Sequence, residues 1–70
     1  MSIRRMVYFR ARGNRLCDFI NAVRRSDIRC YSQRCIYEEY TGQIYYCDLE
    51  KLRILAEEYK TELTVEGYAG

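Results

Sequence analysis

Apolar and polar positions alternate along Met6–Arg12, with Val7, Phe9 and Ala11 on one side and Met6, Tyr8, Arg10 and Arg12 on the other. A period of two predicts a half-buried strand. After Gly13 the period changes. Leu16, Phe19, Ile20 and Val23 fall at i, i+3, i+4 and i+7, one apolar stripe of a helix with Asn14 as its expected N-cap. Arg24 and Arg25 suit the negative end of that helix, which is expected to stop near Ser26-Asp27.

Residues 28–37 read as a second strand, with Ile28, Cys30 and Ser32 inward and Arg29, Tyr31 and Gln33 outward. Cys35 and Ile36 cannot both face the core, so a bulge is expected beyond Gln33. The polar stretch 38–42 predicts a hairpin turn, and residues 43–47 a third strand with Ile44 and Tyr46 on the core side. Asp48 is the expected N-cap of a second helix, with Glu50 in its first turn and Leu49, Leu52, Leu55, Ala56 and Tyr59 as its buried stripe. Residues 61–66 alternate again, with Leu63 and Val65 inward, and 67–70 read as a fraying end or the start of a linker.

The order β-α-β-β-α-β predicts one α+β domain over residues 1–70 with a ferredoxin-like fold, a four-stranded antiparallel sheet carrying two helices on one face. Right-handed crossovers make the first and third strands the central pair. The other face is left open and carries Tyr8, Arg10, Arg12, Arg29, Tyr31, Tyr45, Thr64 and Glu66. Of these, Tyr8, Arg10, Arg12, Arg29, Tyr31 and Tyr45 form the candidate interaction face. Arg10 or Arg12 is expected to pair with the acidic last strand.

Composition adds limits. Seventy residues lie near the lower size at which a chain folds on its own core, so partner contact or self-association would help. Charge is lopsided: residues 1–35 hold nine Arg against Asp18 and Asp27, and residues 36–70 hold eight acids against Lys51, Arg53 and Lys60. Either one half forms a basic surface, or the halves interleave and neutralise each other. No apolar run is long enough for a membrane span, and no hydrophobic secretion segment follows the basic residues 1–5. Cys17, Cys30, Cys35 and Cys47 show no framework or metal-ligand spacing, and the chain has no His, so they read as small buried hydrophobes kept reduced.

No catalytic constellation can be assembled. Without His there is no Ser/His/acid or Cys/His set, and no glycine-rich phosphate loop occurs. No enzyme, cofactor or metal is expected. For the open face three readings stand: protein contact, which favours Tyr and Arg; a solvated antiparallel sheet; and single-stranded RNA stacked on Tyr8 and Tyr45. The stretch from Tyr40 to Tyr46 lacks the basic residue before Gly42 and one aromatic of the RNA-recognition pattern, which weighs against nucleic acid.

The chain from Val7 to Gly70 also resembles the N-terminal region of the sporulation protein YqfD family. The carriers are Gly13 followed by Phe19-Ile20-Asn21, then Ile28, Tyr31 (where the family often has Trp), Ile44 and Tyr46. Asp48 with Lys51-Leu52-Arg53, and Leu63 with Val65, complete them. The chain departs from the pattern at Asp27, where Gly is common, and in the acidic Glu57, Glu58, Glu62 and Glu66. The resemblance implies the soluble N-terminal part of a longer, membrane-anchored protein of spore-forming bacteria, with a membrane segment following this region. It implies no catalytic residues.

Overall fold

The computed structural model describes residues 5–69 of the chain. Residues 1–4 and the terminal Gly70, both part of expectations above, lie outside the described residues. The order is β1 (Met6–Arg12), α1 (Leu16–Arg25), β2 (Cys30–Ile36), β3 (Glu39–Tyr45), a 3-10 turn (Tyr46–Asp48), α2 (Leu49–Glu58) and β4 (Glu62–Ala69). The strands form one antiparallel sheet in the order β2-β3-β1-β4. This is the ferredoxin-like α+β fold, with β1 and β3 central.

The core lies between the sheet and the helices. Val7, Phe9 and Ala11 of β1 and Tyr40 and Ile44 of β3 meet Leu16, Phe19 and Val23 of α1 and Leu49, Leu52 and Ala56 of α2. Burying side chains of this size contributes about 1.5–3 kcal/mol each, which is how so short a chain offsets its backbone entropy. Phe9 and Phe19 both present to Tyr40 in edge-on geometry, with ring centroids 5.4 and 6.4 Å apart. Leu55 and Tyr59, expected as part of the α2 stripe, are only half-buried against this cluster.

Two close approaches explain two glycines. A Cβ on Gly13 would stand 3.2 Å from the Thr61 Cα, because the β1–α1 loop backs onto the turn after α2. A Cβ on Gly42 would stand 3.2 Å from the Phe9 ring and 3.3 Å from the Tyr31 carbonyl oxygen. The helix α2 ends with Lys60 in the left-handed region at φ 50°, while Thr61 N–H donates to the Ala56 carbonyl and Lys60 N–H to that of Glu57. That double closure satisfies the last carbonyls and fixes where β4 begins.

Several expectations are corrected. The hairpin turn is Tyr37-Glu38, not 38–42, so β3 starts at Glu39 and carries Tyr40 into the core at 2% exposure. Tyr37 takes a φ of 55°, which lets a two-residue connection reverse the chain. Because β3 ends at Tyr45, Tyr46 enters the 3-10 turn and is 53% exposed rather than inward. It lies against Tyr68, which is also exposed, with ring centroids 6.1 Å apart. The stretch expected to fray from residue 67 instead continues β4 to Ala69.

The second strand starts at Cys30, and its bulge falls earlier than expected. Tyr31 pairs with Gln43 and Arg34 with Thr41, so Ser32 and Gln33 together face Gly42. Ser32 holds φ 53° and is exposed instead of inward, and Gln33 turns to the core side, where its Oε1 accepts from the Tyr40 hydroxyl at 2.6 Å. Neither expected helix cap bonds through its side chain. The N-cap of α1 is Arg15, since Leu16 N–H already finds the Gly13 carbonyl. Asp48 does occupy the α2 N-cap, but with helical backbone inherited from the 3-10 turn, which turns its carboxylate off the first amides.

Cysteine burial is also corrected. Cys17, Cys35 and Cys47 are exposed, and only Cys30 is half-buried. Cys17 points off the outer side of α1, and β2 runs along the sheet edge beyond helix cover. All four are free thiols.

Candidate functional site

The face away from the helices is built by register. Its rows across the strands read Ile36, Glu39, Arg12, Glu62; then Arg34, Thr41, Arg10, Thr64; then Tyr31, Gln43, Tyr8, Gly67. Tyr45 lies beside Met6 at one end of the face. Five of the six candidate residues, Tyr8, Arg10, Arg12, Tyr31 and Tyr45, therefore share this face. Arg29 stands just before β2 and is exposed.

The arginines at the centre are not open cations. Arg10 binds Glu66 at 2.8 Å and lies 3.9 Å from Glu39, and Arg12 lies 3.7 Å from Glu39. The Arg10 Nε is buried without a partner, which shows its guanidinium folded down onto the sheet. The expected pairing of Arg10 with the last strand is thus present. Arg12 instead meets Glu39, which belongs to β3 and not to the expected turn.

Glu66 reaches the face through a second bulge. Tyr8 pairs with Gly67 and Phe9 with Val65, so Glu66 is the extra residue of β4. Ser32 and Glu66, the bulged residues of opposite edges, border one hollow of about 310 Å³ together with Tyr8, Thr41 and Gln43.

The tyrosines are ordered. Tyr31 and Tyr45 meet edge-on with centroids 5.7 Å apart and hydroxyls 3.4 Å apart. That hydroxyl contact raises the Tyr31 phenol above its ordinary range, with the Arg29 guanidinium pulling weakly the other way. Tyr8 remains 42% exposed in the middle of the sheet.

An open cleft of about 690 Å³ adjoins one end of the face, where β1 begins and β3 ends; it shares Arg29 and Tyr45 with the face and is completed by Arg5, Tyr46, Asp27 and Asp48. Asp27 is held there by Lys51 at 2.9 Å, a pair that lowers the carboxyl and raises the ammonium. The cleft has mixed charge, and sequence patterning gave no sign of it because its residues come from three separate segments.

Among the described residues no group of three or more His, Cys, Asp or Glu side chains could hold a metal ion, and no helix is long and apolar enough to cross a membrane. Comparison with protein-family models, with curated proteins and with solved structures finds no match to this chain.

Proposed function

We propose that this chain is a non-enzymatic protein-interaction domain that docks through the open face of its sheet. One observation carries the reading: Glu39 and Glu66 neutralise the central guanidinia of Arg10 and Arg12, while Tyr8 and Tyr31 stay exposed and the half-buried Tyr45 packs edge-on against Tyr31. A face that met phosphates would keep those cations free. Interfaces instead enrich Tyr and Arg, and here the Arg charges are already paired within the chain. The edge-on Tyr31–Tyr45 pair also reduces the side-chain freedom lost on docking. The resemblance to the YqfD family supports placing the domain in a membrane-associated sporulation assembly, with the anchoring segment outside this chain.

The test is a photo-cross-linking amino acid at Tyr8, compared with one at the exposed Glu50 on α2, in the native host. Cross-linked protein species are expected from Tyr8 and not from Glu50. Equal yields from both positions overturn the reading. Salt-dependent capture of single-stranded RNA, lost in Tyr8→Ala and Tyr45→Ala, replaces it with nucleic-acid binding.

A further inference from the structure

We infer that the partner on this face is a second copy of the chain, packed face to face about a twofold axis parallel to the strands. The inference rests on the docking reading above and deepens it.

Charge alternates across the face strand by strand, and its two edges are opposite in sign: Arg34 on β2, Glu39 on β3, Arg10 and Arg12 on β1, and Glu62 and Glu66 on β4. Neither Arg34 nor Glu62 belongs to an ion pair among the described residues. A twofold axis along the strands lays β2 of one copy over β4 of the other, and β1 over β3. An axis across the strands would lay β2 over β2 and oppose like charges. Only the first arrangement puts Arg34 over Thr64, within side-chain reach of Glu62, and does so twice by symmetry.

Shape follows the same register. Tyr31 shares a row with Gly67, so the axis along the strands sets the Tyr31 ring of each copy over the bare backbone of the other copy's Gly67. Tyr8 shares that row with Gln43 and comes over it, at the rim of the hollow bordered by Ser32 and Glu66. The face measures about 20 Å by 20 Å from strand rise and spacing. Two such faces bury roughly 800 Å², below the usual size of a stable interface, so the dimer is weak and concentration-dependent.

Sedimentation equilibrium up to about 1 mM chain tests this, at low salt, where pairs on the rim of the face count most. The wild-type chain is expected to dimerise. Arg34→Glu and Glu62→Arg each weaken it about tenfold through two lost contacts, and the double exchange restores it to within about twofold. Gly67→Val also weakens it, by blocking the Tyr31 ring. A Cβ on Gly67 meets nothing nearer than the Tyr8 Cδ2 at 4.0 Å, and a β-branched residue suits a strand, so that variant is expected to fold, with an unchanged urea midpoint as the check. Dimerisation unchanged in Gly67→Val, or not restored by the double exchange, overturns the arrangement. A wild-type monomer at about 1 mM overturns self-pairing. If Tyr8 cross-links to another protein persist in the host, the docking reading survives; if none form, both fall.

Discussion

Replacing Glu39 and Glu66 by Gln tests whether carboxylates set the character of the open face. In the wild-type chain these two groups hold Arg10 and Arg12 at 2.8 to 3.9 Å. All four side chains are between 38% and 58% exposed, so each pair is screened and contributes about 0–1 kcal/mol to stability. The double variant should therefore fold. Its chemistry changes more than its stability: the chain has a formal net charge of +2, and the exchange removes two further negative charges from beside Tyr8. Two released guanidinia can each meet a phosphate. For single-stranded RNA the logarithmic salt slope steepens by about 0.7 per phosphate, so by about 1.4 here. Between about 50 and about 200 mM salt the variant should lose roughly sevenfold more affinity than the wild-type chain. Fluorescence anisotropy of a short labelled RNA at several salt concentrations reads this directly. Equal slopes for the two proteins would refute the argument, because the arginines would then be as available with their carboxylates as without them.

Two further outcomes probe the frame that holds the face. In Gly42→Ala the new methyl stands 3.2 Å from a Phe9 ring already wedged against Tyr40, an overpacking cost of about 1–3 kcal/mol. Loss of a glycine from a strand returns about 0.5–1 kcal/mol, and a urea midpoint at or above wild type would contradict the packing described. In Tyr40→Phe the hydrogen bond to the Gln33 Oε1 is lost, at about 0.5–1.5 kcal/mol near neutral pH. Burial raises the Tyr40 phenol above its ordinary 10.0, so the stabilisation from keeping it neutral is present below pH 10.0 and is lost as pH rises further. The stability gap between the two proteins should narrow above pH 10.0 in urea titrations, and a constant gap would reject the assignment.

The fold was legible because its two periods are clean. Val7, Phe9 and Ala11 alternate without a break, and Leu16, Phe19 and Val23 hold helical spacing, so element type and order follow from side-chain periodicity alone. The hairpin was not legible in detail. Glu38, Glu39, Thr41 and Gly42 are polar or small and concealed that Tyr40 is a core residue. The actual turn at Tyr37-Glu38 contains no glycine, asparagine or proline to announce it. The same two-residue turn puts Glu39 on the face, where it neutralises Arg12. The candidate face itself was readable for β1, where parity holds throughout. On β2 and β4 it depended on bulges, which change which neighbours a residue meets but leave no compositional trace.

Those bulges carry a consequence for how the domain can associate. An edge strand with a regular row of free N–H and C=O groups invites pairing with another strand. Here β2 is interrupted at Ser32-Gln33 and β4 at Glu66, so both edges of the sheet are broken near their middles. The interruptions also add outward residues, Ser32 next to Tyr31 and Glu66 next to Gly67, and both border the same hollow on the open face. One irregularity at each edge thus discourages edge pairing and shapes the face at the same time. The central strands β1 and β3 pair without interruption from Met6 to Arg12, which keeps the middle of that face regular. A partner that adds a strand would have to remove a bulge, whereas a partner that covers the face would use it. Deleting Ser32 to regularise β2 should therefore favour edge-to-edge association and reduce contact through Tyr8 and Tyr31. If the deletion left the cross-links from Tyr8 unchanged, the bulge would be a feature of the edge alone.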